Sequence, residues 1–138
     1  MIFDSHCHLD DPEFDGDREA VLARALAAGV HGQLVPAIDR GTWENTRAAC
    51  ALAPGLHAAY GLHPLLLPKH QPAHLDELER WIAEEDPKAV GECGLDYYVE
   101  GLDADTQRFY FRRQLEIARA AALPVVVHAR RAFEEAIA

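Results

Sequence analysis

A chain of 138 residues that is 49% hydrophobic and 26% charged has the composition of one soluble globular domain with a real core, which excludes a disordered chain. Its formal charge of −10 excludes the broad basic surface that drives nonspecific duplex binding, so a nucleic-acid ligand would need local help such as bound cations. The three cysteines, Cys7, Cys50 and Cys93, form no CxxC pair and predict reduced thiols in a cytoplasmic protein, while no signal peptide and no apolar run of about 18 residues is present to predict export or a membrane span.

The apolar start "MIF" predicts a first strand near residues 2–6, and "DSHCHLD" follows "MIF" directly, from Asp4 to Asp10. A helix is expected near 17–28, stopped by Gly29, then a strand near 31–37 ("HGQLVPA") and a helix near 42–52. A third strand is expected near 57–61 ("HAAYG"), a helix near 73–85, and a fourth strand near 88–93 ("KAVGEC"). The helix near 104–122 has the clearest periodicity, with Phe111, Leu115, Ala118 and Ala122 as its apolar stripe. "PVVVH" at 124–128 reads as a fifth strand buried on both faces, and "RRAFEEAIA" opens another helix. This alternation predicts an α/β fold in which right-handed crossovers set five parallel strands in the order 1-2-3-4-5, with helices outside. No linker, repeat or low-complexity stretch divides residues 1–138, so one domain is expected.

Successive side chains of an extended strand point to opposite faces, so His6 and His8 share one face with Asp4, and Cys7 turns away. Two imidazoles at a strand end form two arms of a metal site, unless they are incidental histidines of a polar loop. Parallel strands end on a common rim, where barrels of this kind carry their chemistry. Three further candidates end strands there: His63 in "GLHP", Glu92 in "GECGLD" and His128 in "VVVHAR". A carboxylate beside a buried strand is costly without a cation or hydrogen bonds, which favours a functional Glu92. Cys93, opposite in parity to Glu92, and Cys7 read as small apolar packing residues. His63, held extended by Pro64, is expected either to contact a substrate or to make a structural hydrogen bond at a strand end. Asp4 either orients an imidazole or caps a loop. Arg130 is placed to reach a phosphate, whereas Arg108, Arg112 and Arg113 read as a solvated helix face.

Taken in order, "DSHCHLD", "GLHP", "GECGLDYY" and "LPVVVHAR" resemble the TatD-related metal-dependent deoxyribonucleases of the amidohydrolase superfamily, and "QRFYFRRQLEIA" fits as well. The resemblance implies a (β/α)₈ TIM-type barrel and cleavage of phosphodiester bonds in DNA, often by exonuclease action on single strands or ends. It implies two divalent ions (Mg, Mn or Zn). His6 and His8 would hold one of them, His128 would hold the second, and Glu92 would bridge both. His63 would contact the scissile phosphate or protonate the leaving oxygen, and Asp96 and Tyr97 would shape the pocket from behind the ligands.

Two departures from the family pattern matter. An Asp usually follows "HxR", where this chain has Arg131. The family also draws a histidine and a metal-binding aspartate from strands six and eight, for which 138 residues leave no room, since a complete barrel takes about 250. The expectation is therefore an incomplete barrel, the N-terminal part of one TatD-like domain. Weak metal retention, little activity and self-association through open sheet edges are expected of it. Three alternatives stand beside this reading: a noncatalytic metal-binding fragment, another amidohydrolase-superfamily hydrolase, and a polymerase-and-histidinol-phosphatase type hydrolase. In many amidohydrolases a carboxylated lysine ends the fourth strand, but that place holds Glu92 here; the third alternative also begins with HxH, yet fits "GECGLDYY" poorly.

Overall fold

The computed structural model describes all residues 1–138. Five strands alternate with helices along the chain: β1 (Ile2–Asp4), α1 (Arg18–Ala27), β2 (Val30–Pro36), α2 (Trp43–Cys50), β3 (Leu56–Tyr60), α3 (Ala73–Glu85), β4 (Ala89–Asp96), α4 (Ala104–Ala120), β5 (Val125–Arg130) and a single-turn α5 (Phe133–Ala136). Two 3₁₀ segments, Pro12–Phe14 and Pro64–Lys69, lie in the loops after β1 and β3. Every neighbouring pair of strands is parallel, and the order is β1-β2-β3-β4-β5. The sheet curls into a half-barrel with its helices outside, as the βα alternation predicts.

Most of the core lies between the sheet and the helix layer. Trp43 and Leu78 from α2 and α3 and Tyr110 and Ile117 from α4 pack against Tyr60, Leu62 and Val90 of the strands and their ends. Full burial of a side chain such as Leu78 contributes about 1.5–3 kcal/mol. The concave face holds only a small cluster of Leu34, Ala59 and Ala89, flanked by Val126. Phe3 lies across Gly32, where an added Cβ would meet its ring at 2.5 Å, and remains 55% exposed.

Three expectations need correction. β1 ends at Asp4, so His6 and His8 lie beyond it in an irregular segment that still follows β2 through a Cys7 N–H bond to the Leu34 carbonyl. β5 is not buried on both faces: it is an edge strand whose Val125 and Val127 are exposed. Of the stripe expected on α4, Phe111 and Ala118 are buried, alongside Gln107, Tyr110, Gln114 and Ile117, whereas Leu115 is exposed and Ala122 lies beyond the end of the helix. The two glutamines hold this face because their amides satisfy backbone groups at strand ends. Gln114 bonds both the N–H and the carbonyl of Leu62, and Gln107 bonds both the N–H and the carbonyl of Asp96.

Candidate metal centre

Backbone hydrogen bonds draw the strand ends of β2, β3 and β4 together. The His63 N–H donates to the Ile38 carbonyl at 2.7 Å, and the Glu92 N–H donates to the Ala37 carbonyl at 3.0 Å. At Gly94, with φ of 140°, a Cβ would stand 2.0 Å from the His128 carbonyl oxygen, so only glycine lets β5 approach β4 closely enough to bring His128 beside Glu92.

Glu92 is 5% exposed and divides its oxygens between two pairs of imidazoles. Its Oε2 lies 3.0 Å from His6 Nε2 and 3.4 Å from His8 Nε2, and those two nitrogens are 3.1 Å apart. Its Oε1 lies 3.4 Å from His63 Nε2 and 3.4 Å from His128 Nδ1. The rings of His63 and His128 sit 4.4 Å apart, centre to centre. His6, His8 and Glu92 thus form one group of potential metal ligands, and His63, Glu92 and His128 form another.

Protonation follows from the same contacts. Burial alone would raise the Glu92 carboxyl pKa, but hydrogen bonds from His128, His63 and His8 outweigh it and hold the group ionised, well below the usual carboxylate range. The hydrogen bond to Glu92 raises the pKa of His8 and of His128, against the opposing effect of burial. The free nitrogens differ between the two inner imidazoles. His63 Nδ1 accepts the Leu65 N–H at 3.0 Å, so its proton sits on Nε2, facing Glu92. His128 meets a carboxylate oxygen at each nitrogen, Asp96 Oδ2 at 2.8 Å from Nε2 and Glu92 Oε1 at 3.4 Å from Nδ1, and a neutral ring can donate to only one of them; with its proton on Nε2, the Nδ1 lone pair faces Glu92. Two lone pairs in such apposition need a proton or a cation between them, so the donor set fits a metal ion.

The structure brings His6, His8, His63, Glu92 and His128 together on one rim and places Asp96 directly behind His128. Asp96 is fully buried; burial raises its pKa, but the N–H groups of Val99 and Tyr98 and the His128 ring more than offset this and keep it low. Two assignments change. Asp4 accepts the backbone N–H of His6 at 3.1 Å, which is the loop-capping option, because β1 ends there and the chain turns. Tyr97 points away from the pocket and donates its hydroxyl to Glu135 Oε2 at 2.8 Å, since strand alternation sends it opposite to Asp96. The cysteines pack as expected: Cys93 against Leu95 and Phe111, and Cys7 against Leu9 and Val35. Burial pushes the Cys93 and Cys50 thiols up to about 12.

Sequence reasoning passed over two residues here. Asp10, nine-tenths buried, accepts the hydroxyl of Thr46, and burial raises its pKa; its place in "HLD" was the available signal. Tyr98 lies beneath the guanidiniums of Arg130 and Arg131, a contact that no spacing rule reveals.

A curled sheet of parallel βα units, with histidines and a glutamate that could bind metal on its C-terminal rim, defines the class: a (β/α)-barrel protein of the metal-dependent hydrolase kind. Within that class the chain belongs to the TatD related DNase family, whose model matches residues 3–138. It is similar to the uncharacterized metal-dependent hydrolase YjjV of Escherichia coli K12, with 40% identity over 97% of this chain and 52% of the relative. It is also similar to the 3′-5′ ssDNA/RNA exonuclease TatD of Klebsiella pneumoniae strain 342, with 31% identity over 99% of this chain and 52% of that protein. The crystal structure of Escherichia coli YjjV superposes with a TM-score of 0.93 at 36% identity, covering 98% of this chain and 53% of that one. The chain spans about half the length of the curated relatives it matches. No helix is long and apolar enough to cross a membrane.

Proposed function

We propose that the chain supplies the metal-binding rim of a hydrolase that cleaves phosphodiester bonds in DNA, working as a two-metal exonuclease on single-stranded ends. One observation carries this reading: a single buried carboxylate, Glu92, turns each of its oxygens to its own pair of imidazoles. His6, His8 and Glu92 Oε2 would hold one divalent ion, Mg²⁺, Mn²⁺ or Zn²⁺, and His128 Nδ1 and Glu92 Oε1 would hold a second. When bound, such a pair lowers the pKa of water to make a nucleophile and offsets charge on the attacking and leaving oxygens.

The chain's own groups do the rest. Asp96 fixes the His128 tautomer so that Nδ1 is free to ligate. His63 carries its proton on Nε2 and donates it to a phosphate oxygen or to the leaving oxygen, a role its tautomer favours over ligation. Arg130 shares the strand face of His128 and reaches toward substrate phosphate. The two cations would attract a polyanion despite the net charge of −10. The relative named as a 3′-5′ ssDNA/RNA exonuclease supports a nucleic-acid substrate, and three free thiols suit a reducing, cytoplasmic setting.

The test is release of nucleotides from end-labelled single-stranded DNA in Mg²⁺ or Mn²⁺. The chain is expected to show weak, metal-dependent cleavage that Glu92→Gln abolishes without loss of secondary structure. Equal cleavage by the Glu92→Gln variant contradicts the reading.

A further inference from the structure

Of the 13 basic side chains, most that lie near a carboxylate are paired with it. Arg18, Arg24, Arg40, Arg47, Lys69, Arg108 and Arg113 all make ion pairs. Arg130 and Arg131 make none, although they stand at the end of β5 beside the metal-binding rim. What they contact instead is an aromatic face: the Arg130 guanidinium carbon lies 3.6 Å from the centre of the Tyr98 ring, and that of Arg131 lies 4.7 Å from it. Contact with a ring face positions a guanidinium without neutralising it and leaves its N–H donors free in the ring plane direction.

Local geometry builds this arrangement. Tyr98 rides on a turn whose N–H groups, at Tyr98 and Val99, both bond Asp96 Oδ1, while Oδ2 of the same carboxylate holds His128. The Arg130 carbonyl accepts the Tyr97 N–H at 2.9 Å, which ties the end of β5 to the same turn. Arg130 follows His128 by two residues and so shares its strand face. Arg131, next in sequence, would face the opposite side, but its φ of 53° breaks the strand and sends its side chain back over Tyr98. One buried carboxylate therefore couples the candidate metal ligand to a pair of unneutralised guanidiniums.

We infer that Arg130, Tyr98 and Arg131 form a phosphate clamp that binds the backbone phosphate next to the scissile one in a single-stranded nucleic acid. This rests on the phosphodiester reading above and extends it to specificity. A substrate with two or more phosphates engages both the metal centre and the clamp, whereas a mononucleotide ester engages only the centre. Two guanidiniums held against one ring offer several N–H donors to a phosphate, and Tyr98 holds them there at little cost in side-chain freedom.

Binding of a fluorescein-labelled oligothymidylate of about six nucleotides to the full chain tests this, followed by fluorescence anisotropy at fixed millimolar Mg²⁺ and varied NaCl, before hydrolysis sets in. The Arg130→Ala/Arg131→Ala double variant is expected to bind more weakly and to lower the steepness of log K against log salt by about 0.7, since the clamp engages one phosphate and each phosphate contact on a single strand contributes about 0.7. Tyr98→Phe keeps the ring and is expected to retain the wild-type slope, whereas Tyr98→Leu releases the guanidiniums and is expected to fall toward the double variant. If the wild-type chain binds with a salt dependence that the double variant shares in full, the clamp is wrong and the phosphodiester reading stands. If the wild-type chain binds no oligonucleotide in Mg²⁺ even at low salt, both fall together.

Discussion

Asp96 gives one oxygen to the His128 imidazole and the other to the turn at Tyr98 and Val99, so its two contacts can be separated by an isosteric change. In Asp96→Asn the amide oxygen can keep the turn, but the amide nitrogen then faces His128 Nε2–H. Two donors repel, the imidazole proton moves to Nδ1, and the lone pair offered to a metal is lost. Metal affinity is expected to fall by about 10–100-fold with little loss of stability, as loss of a ligand-orienting carboxylate does elsewhere. Competition with a chelating dye measures it, and unchanged affinity would show that His128 ligates through another geometry or not at all. At this scale the sequence was informative where strand alternation governs. Glu92, His128 and Arg130 point as parity requires, and Cys93 turns away. It was silent where a turn decides. Tyr98 reaches Arg130 because Asp96 caps the backbone ahead of it, and the His63 tautomer depends on the Leu65 N–H.

Among the elements, α4 shows why hydrophobic periodicity located a helix but only part of its buried face. Apolar spacing selected Phe111 and Ala118, which are buried, together with Leu115, which is exposed, and Ala122, which lies past the helix end, and it overlooked Gln107 and Gln114, which are fully buried. Strand ends that stop hydrogen bonding to neighbouring strands leave amide and carbonyl groups in need of partners, and a glutamine amide supplies a donor and an acceptor at once. Gln107→Leu would keep the volume and strand the N–H and carbonyl of Asp96. A loss of about 1–3 kcal/mol for each buried group left unpaired is expected. Urea denaturation measures this; a neutral result would mean that water replaces the amide. Because Asp96 also holds His128, the same variant is expected to loosen the metal site, linking helix packing to ligand geometry. β1 and β5 carry a related lesson. The apolar residues of β5 read as a strand buried on both faces, yet burial of an edge strand, β1 included, depends on what pairs with it, which composition does not encode.

Across the whole molecule, strand order was legible because short βα connections with one handedness allow few arrangements. Both outer strands, β1 and β5, have one unpaired side, and Ile2, Phe3, Val125, Val127, Phe133 and Ile137 are exposed near them or on the helix beyond. Unpaired edges flanked by apolar surface favour association. Light scattering of the isolated chain is therefore expected to report a mass that rises with concentration, and a monodisperse monomer would contradict that expectation. The central claim, that one carboxylate serves two ions, is tested most directly by counting Mn²⁺ bound per chain by electron paramagnetic resonance at saturating metal. The account predicts two ions in the wild-type chain, one retained when His6 and His8 are both replaced by Ala, and neither retained by Glu92→Gln, because the amide carries no charge to share. Retention of two ions by Glu92→Gln would contradict it.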